Sequence, residues 1–201
     1  MNPQEATAVK WSETVIVVDA DYVDKVALLL TADFERMLDR RVRQADMARW
    51  LMCVALDGGL RAGDNETQVV LVHDKQTAGL AHFEPGNFEQ ELNNRAFKDD
   101  RLGEFVITAM AVEGPFSKDD VMADLLSTVC SREEIKRIIV VPDAENADAC
   151  DTIRRVLRNA DSDQRRVTVL AMQPIQGGGF RQELLGYSLL QALGISADEI
   201  K

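Results

Sequence analysis

The sequence has few of the features that stabilise a secreted domain or anchor a membrane protein. Its three cysteines, Cys53, Cys130 and Cys150, are widely spaced and form no CxxC or Cys/His cluster, so neither a disulfide framework nor a structural zinc site is predicted. No apolar run approaches the roughly 18 residues of a membrane helix, and residues 1–10 have no apolar core of signal-peptide length. We therefore expect a cytoplasmic protein that does not enter membranes.

The glycine motifs of several large enzyme classes are also missing. Asp19-Ala-Asp-Tyr-Val23, which follows the first apolar run, contains no glycine, so the dinucleotide-binding fingerprint is absent. There is no P-loop and no G-x-S-x-G motif. The glycine run at 177–179 has no Lys-Ser/Thr beside it, and we interpret it as a hinge. P-loop nucleotide hydrolases and serine hydrolases are therefore disfavoured.

Positive charge is scarce. The chain has 34 acidic and 23 basic residues and a formal net charge of −11, which repels the phosphates of nucleic acids and anionic membranes. Arginines do cluster at Arg36, Arg40, Arg41 and Arg43, but acidic residues are interleaved with them. This pattern is typical of a solvated helix face with i,i+4 ion pairs.

Five continuous apolar runs predict strands that are covered on both faces. They lie at residues 14–18, 67–72, 104–112, 138–141 and 166–172. Helical periodicity or helix caps predict helices between and around them. These comprise 23–56, with a second helix starting at Thr31-Ala32-Asp33, then 76–82, 87–97, 117–130, 146–157 and 181–193.

Alternating strands and helices predict βαβ units with right-handed crossovers. The expected fold is α/β, a Rossmann-like three-layer α/β/α arrangement with a mostly parallel five-stranded sheet in the order 3-2-1-4-5. We find no repeat, linker or low-complexity stretch in the sequence, so residues 1–201 are expected to form a single domain. The apolar residues of the last helix cover a wide face, which predicts packing on the sheet and a homodimer through this C-terminal helix.

Acidic residues recur where the predicted strands end. Asp19-Ala-Asp21 follows strand one, His73-Asp74 follows strand two and Asp143-Ala-Glu145 follows strand four, while Lys118-Asp119-Asp120 begins the helix after strand three. Ligands of such sheets bind beyond the carboxyl ends of the strands. Converging carboxylates repel one another, and Mg²⁺ relieves this repulsion. The alternative is that aspartate is simply frequent in turns and at helix N-caps.

In this layout the chain resembles the PIN-like group, and especially its NYN branch of metal-dependent nuclease domains, over residues 15–172. The order of Asp19, Asp120 (with Asp124 one turn later) and the Asp143/Glu145 pair is similar to the acidic positions of that family. Pro142 stands where that family usually has glycine. The resemblance implies that Asp19, Asp120, Asp143 and Glu145 are ligands of Mg²⁺ or Mn²⁺, that Asp19 and Asp143 are catalytic, and that the substrate is RNA or another phosphodiester.

The chain also resembles, more weakly, the haloacid dehalogenase-like phosphatases. Asp19-Ala-Asp21-Tyr-Val23 is similar to their DxDx(T/V) opening, and Asp143-Ala-Glu-Asn-Ala-Asp148 is similar to their late acidic motif. This resemblance implies that Asp19 is a nucleophile, Asp21 a general acid/base and Lys118 a charge-balancing lysine, with a small phosphoester as the substrate.

Three functional hypotheses follow. The first is a divalent-metal-dependent phosphoester hydrolase of PIN/NYN nuclease type, the second is a small-molecule phosphatase, and the third is a non-catalytic oligomeric scaffold. Both enzyme hypotheses predict one acidic site between strands one and four. Outside this site, a structural hydrogen bond is the favoured interpretation of His73, although it ends a strand and could reach the site edge.

Overall fold

Strands and helices alternate through almost the whole of the computed structural model, which describes residues 10–200. The strands are β1 Thr14–Asp19, β2 Ala45–Asp46, β3 Glu66–Asp74, β4 Phe83–Glu84, β5 Arg95–Asp99, β6 Gly103–Val112, β7 Arg137–Val141, β8 Arg166–Ala171 and β9 Arg181–Leu184. The α-helices are α1 Ala20–Leu38, α2 Met47–Asp57, α3 Lys118–Cys130, α4 Ala147–Leu157 and α5 Leu185–Leu193. A π-helical turn lies at Phe88–Leu92 and a 3₁₀ turn at Ala197–Ile200.

Seven strands form the main sheet in the order β5-β6-β3-β1-β7-β8-β9, and all neighbours are parallel except the antiparallel pair β5 and β6. The five predicted strands correspond to β6, β3, β1, β7 and β8, which are adjacent. The prediction of a five-stranded sheet is wrong because β5 and β9 extend it at its two edges. All four residues of β9 are exposed and β5 is mostly exposed, so neither edge strand has the buried apolar run that identified the other five.

Two hydrophobic cores cover opposite faces of the sheet. Alternate residues of β1 point to opposite sides: Ile16 and Val18 belong to the core built with α1, α2 and α5, whereas Val15 and Val17 belong to the core built with α3 and α4. Trp50 is fully buried in the first core, against the ring of Phe83. Helices therefore cover both faces and leave the carboxyl ends of the strands open for a site.

The long helical pattern predicted at 23–56 is interrupted later than expected. Helix α1 continues through Thr31 to Leu38, and Asp39 ends it in the left-handed conformation. Helix α2 begins after Asp46, whose side chain accepts a hydrogen bond from the Arg49 amide. The prediction of a helix start at Thr31 was wrong because a residue with capping potential can also lie inside a continuous helix, where the Thr31 hydroxyl is buried.

Two further helix predictions were also wrong. Residues 76–97 form turns, β4, the π-helical turn and the start of β5 instead of two helices. Residues 181–184 form β9, so the last helix begins at Leu185. Residues 181–184 form a strand because they pair with β8, and tertiary contacts routinely override local helical propensity. No helix within residues 10–200 is long and apolar enough to cross a membrane.

Most of the apolar face of α5 is used inside the chain. Leu185, Leu189, Ala192 and Leu193 are buried in the core shared with α1 and α2. Tyr187, at 68% exposure, is the large apolar side chain that α5 presents outwards. The homodimer through this helix stays a prediction, and Tyr187 is the residue through which it would form.

Gly103 occupies a position that excludes a side chain. Its φ is +90°, and a Cβ built there would lie 2.1 Å from the Asn65 carbonyl oxygen. We expect Gly103→Ala to lower the free energy of unfolding by more than about 2 kcal/mol, through backbone strain and overlap. Gly63→Ala is the matched control, since its Cβ would meet only the Asn65 side chain, at 3.5 Å. Equal denaturant midpoints for the two variants would contradict this prediction.

Candidate functional site

The carboxyl end of β1 is the centre of the candidate site. Asp19 is the last residue of β1 and also the N-cap of α1, where its Oδ1 accepts a hydrogen bond from the Tyr22 amide at 3.0 Å. Aspartate suits this position because its carboxylate satisfies a free amide of the first helical turn. The side chain is 2% exposed. Asp19 is therefore held in one orientation between the sheet and its helix.

The ammonium group of Lys118 lies between the acidic side chains. Its Nζ is 2.9 Å from Asp19 Oδ1 and 2.8 Å from Asp21 Oδ2, while Asp74 Oδ2 lies at 3.7 Å. Asp21 Oδ2 also accepts a hydrogen bond from the Asp74 amide at 2.8 Å. Lys118 is the first residue of α3. The elements β1, α1 and β3 therefore each bring one carboxylate to the cation that α3 supplies. We call Asp19, Asp21, Asp74 and Lys118 the acid–lysine cluster.

Burial and charge shift the pKa values of this cluster in different directions. Burial raises the pKa of Asp19 against the opposing effect of Lys118. Burial opposes ionisation of Asp21 as well, but hydrogen bonds from Lys118, the Asp74 amide and the Thr77 hydroxyl lower its pKa. Burial alone would lower the pKa of Lys118, yet its contacts with Asp21 and Asp19 outweigh this and raise it. Lys118 is therefore charged, and Asp21 ionises more readily than Asp19.

A small depression lies beside the cluster, between β1 and β7. Asp19, Asp119 and Asp143 line it together with Pro142, which follows β7, and with apolar and neutral residues of α3 and α4. Its volume of about 10 Å³ is close to the space that one water molecule needs. Burial and the negative charge of Asp143 raise the pKa of Asp119. The depression therefore collects carboxylates whose repulsion is only partly neutralised.

The hydroxyl group of Tyr22 is close to the same acidic residues. It is buried and has no hydrogen-bond partner in the described part of the chain. Burial, followed by the charges of Glu145 and Asp143, raises its pKa. A buried hydroxyl without a partner is costly, and the side chain, which is 3% exposed, packs in the core built with α1, α2 and α5.

The four predicted metal ligands are not equally placed. Asp19 and Asp143 both line the depression, as expected from neighbouring strands β1 and β7. The Asp120 carboxylate accepts hydrogen bonds from the Ser117 amide and hydroxyl in the capping box of α3, and Asp119 reaches the depression instead. Glu145 forms an exposed ion pair with Lys25 at 2.8 Å, and its amide donates to Asp143 Oδ1 at 3.0 Å.

The carboxylates of this site are suitable ligands for a divalent cation, but the distances between them are not those of a metal site. Carboxylates are the donors that Mg²⁺ prefers, and Asp19, Asp119 and Asp143 converge on a space of suitable size. Within residues 10–200, however, no three His, Cys, Asp or Glu side chains stand at metal-binding distances as they are placed. Binding would therefore require at least one carboxylate to turn into the depression.

A larger cavity opens at the carboxyl ends of β3 and β6. Its volume is about 530 Å³, within the usual range of ligand pockets. Ala109 and Ala111 of β6 and His73 of β3 line it, as do the segments that follow β3. Thr77 also lines it, and the Thr77 hydroxyl is one of the groups that lower the pKa of Asp21. The cavity therefore lies next to the acid–lysine cluster.

His73 lines this cavity. Its Nδ1 lies 2.9 Å from the Asp74 carbonyl oxygen, and its ring stacks on Phe88 with centroids 3.8 Å apart. A carbonyl oxygen can only accept, so Nδ1 is the donor in this contact. The structural hydrogen bond favoured from the sequence is thus present, and His73 also reaches the site edge.

Three features of the site escaped the sequence analysis. Lys118 was noted at a helix start but was given a role only through a resemblance, Asp119 was passed over in favour of Asp120, and Thr77 was assigned to a helix. The capping pattern Ser117-x-x-Asp120 was the available signal, because a side chain that caps its own helix is directed back to the N-terminus. The cavity could not be predicted, since the segment that follows β3 forms turns and a π-helical turn instead of the helices predicted at 76–82 and 87–97.

These features define a doubly wound α/β protein with a lysine-neutralised acidic site at the carboxyl edge of its sheet. The chain belongs to DUF6621, a family of unknown function, whose model matches residues 8–200. No curated protein and no solved structure matches the chain.

Proposed function

We propose that this protein is a divalent-metal-dependent phosphoester hydrolase, with its site at the carboxyl ends of β1 and β7. The observation that carries the proposal is the convergence of Asp19, Asp119 and Asp143 on one water-sized depression beside the acid–lysine cluster. The direct passage from β1 into α1 at Asp19 supports the PIN/NYN type, because a buried carboxylate at a helix N-cap suits a ligand better than a nucleophile.

The residues of the chain have separate roles in this proposal. Asp19, Asp119 and Asp143 would hold Mg²⁺ or Mn²⁺, which would polarise a phosphoryl oxygen and lower the pKa of a bound water. Lys118 keeps Asp19 and Asp21 in place through its 2.9 and 2.8 Å contacts. Glu145, in its ion pair with Lys25, would assist from the rim.

The substrate favoured is a small phosphoester or a short phosphodiester. The cavity of about 530 Å³ beside Asp21 suits the organic part of such a molecule. The net charge of −11 works against a long RNA, which needs many phosphate contacts. Part of the sequence cluster of arginines is also neutralised, since Arg36, Arg40 and Arg41 form ion pairs with acidic residues.

The test is hydrolysis of bis(p-nitrophenyl) phosphate, p-nitrophenyl phosphate and a single-stranded RNA oligonucleotide during titration with Mg²⁺ or Mn²⁺. We expect metal-dependent turnover of at least one phosphoester, with the diester preferred, and its loss in Asp19→Asn. Equal rates for the parent and Asp19→Asn would refute the proposal. Absence of turnover with every substrate and metal would favour the non-catalytic scaffold instead.

A second candidate is a small-molecule phosphatase of haloacid dehalogenase type, favoured by the contact of Lys118 with both Asp19 and Asp21. In that reaction Asp19 attacks phosphorus, the alcohol leaves, and water then hydrolyses the aspartyl phosphate. The stereochemistry at phosphorus, followed with a phosphoester made chiral by oxygen isotopes, distinguishes the two routes. Two successive in-line displacements, first by Asp19 and then by water, retain the configuration, whereas one direct attack by water inverts it.

A further inference from the structure

A row of polar side chains crosses the amino ends of four neighbouring strands, at the edge opposite the acidic site. Thr67 pairs with Thr14, Thr14 with Arg137, and Arg137 with Arg166 in the strand register. Because side chains alternate along a strand, Thr14 shares the sheet face of Ile16, which belongs to the core built with α2. The register thus brings Arg137 and Arg166 next to each other on that face.

Arg61 joins these two arginines from the loop that follows α2. Its positive charge and that of Arg166 lower the pKa of Arg137, after the larger effect of burial, and only Glu13 opposes them. The Arg166 guanidinium lies directly below Gly59, where a Cβ would come within 2.6 Å of its Cζ. We call Arg61, Arg137 and Arg166 the arginine cluster.

Glu13 is the acidic residue whose charge raises the pKa of Arg137, but it does not form an ion pair with the arginine cluster. None of its three guanidinium groups forms an ion pair with a carboxylate in that part of the chain. Arg137 Nη1 donates to Thr14 Oγ1 at 3.2 Å and Arg166 Nε to Thr168 Oγ1 at 3.5 Å, and both acceptors are neutral. In a chain with 34 acidic residues, the half-buried Arg137 and Arg166 are unexpected without an ion-paired carboxylate.

Hydrogen-bonding capacity in the row is also unused. Arg137 Nε and Thr67 Oγ1 are both buried and have no partner within the described residues. A buried donor without an acceptor costs free energy. The planar guanidinium group matches the oxygen atoms of phosphate through paired N–H donors.

We propose that the arginine cluster binds a phosphate-type dianion, either free phosphate or the phosphoryl group of a small ester. A dianion neutralises more of the repulsion among three guanidinium groups than a carboxylate does, and its oxygens accept more of their donors. The six residues of β1 separate this cluster from Asp19 by about 17 Å. The site is therefore distinct from the acidic site and independent of the proposed hydrolase activity.

The test is calorimetric titration of the full chain with inorganic phosphate in chloride buffer of constant ionic strength. EDTA is present, so no metal-dependent process contributes. We expect Arg166→Gln to weaken phosphate binding by about tenfold or more, since it removes charge-assisted hydrogen bonds. Arg61→Gln, in an exposed loop where folding is not at risk, is expected to weaken it less. Arg155→Gln is the matched control, because it removes the same charge from the exposed surface of α4.

The comparison anions decide the ligand class. Acetate is expected to bind more weakly than phosphate, and glycerol phosphate is compared with phosphate to identify the source of the dianion. Tighter binding of the ester supports a phosphoryl group, and tighter binding of phosphate supports the free anion. The proposal is overturned if the parent does not bind either phosphate compound, if acetate binds equally well, or if Arg166→Gln and Arg61→Gln bind like Arg155→Gln.

Discussion

Lys118→Met is expected to lower the free energy of unfolding at pH 7 by about 3 kcal/mol or more, which is typical when one partner of a buried charge pair is removed. The Lys118 ammonium is the cation within 4 Å of both Asp19 and Asp21, and its side chain is 18% exposed. Methionine fills a similar volume, so the cost comes mainly from carboxylates left without a counter-charge. Denaturant titration followed by circular dichroism measures it.

The pH dependence gives this prediction a definite sign. Burial already raises the pKa of Asp19, and loss of Lys118 raises it further. A carboxyl group whose pKa is higher in the folded state binds its proton more readily there, so the fold gains stability as the pH falls. The deficit of Lys118→Met should therefore shrink between pH 7 and about pH 4, and adding Asp19→Asn should recover part of it at pH 7.

Lys25→Met is the matched control for this experiment. Lys25 Nζ lies 2.8 Å from Glu145 Oε2, as close as the contacts of Lys118, but both side chains are about half exposed. Solvent screens such a pair, so its loss should leave the unfolding curve nearly unchanged. Deficits of equal size for Lys25→Met and Lys118→Met would show that burial of the acid–lysine cluster is not what makes Lys118 important.

The sequence contained enough information for the core of the sheet but not for its edges. Continuous apolar runs identify β1, β3, β7 and β8 because both faces of these strands are buried, whereas β6 was identified by its apolar run although only one of its faces is buried. The edge strands β5 and β9 have a solvent-facing side, and pairing with a neighbour determines their conformation. The helices predicted within residues 76–97 were wrong for a related reason, because turn contacts rather than periodicity determine the path of this segment.

The candidate site was predictable to the level of the strand ends. Asp19 and Asp143 could be placed together because the carboxyl ends of neighbouring parallel strands lie at the same edge of the sheet. Sequence spacing does not say which of two adjacent helical residues faces a neighbour, however, and successive residues differ by about 100° around the axis. The choice between Asp119 and Asp120 depends on the rotation of α3 about its own axis, which the packing of Met122 and Leu126 sets.

Asp119→Asn and Asp120→Asn are therefore expected to give opposite results. Asp119 lines the depression with Asp19 and Asp143, so Asp119→Asn should lower metal-dependent hydrolysis by at least about tenfold, as loss of a metal-site residue does. Burial and the charge of Asp143 raise the pKa of Asp119, so its ionised form disfavours the fold at neutral pH. Without metal, the melting temperature of Asp119→Asn should be equal to that of the parent or higher.

Asp120→Asn makes the same chemical change at the neighbouring residue. It should have the opposite effects on hydrolysis and on the melting temperature. Hydrogen bonds from Ser117 lower the pKa of Asp120, so its ionised form supports the fold above its usual pKa and this support is lost in the variant. Its negative charge at the N-terminus of α3 also favours the helix. The melting temperature should therefore fall slightly while hydrolysis is retained. Loss of hydrolysis in Asp120→Asn with full activity in Asp119→Asn would return the metal site to the ligand set of the PIN/NYN resemblance, because α3 would then have to present Asp120 to the depression.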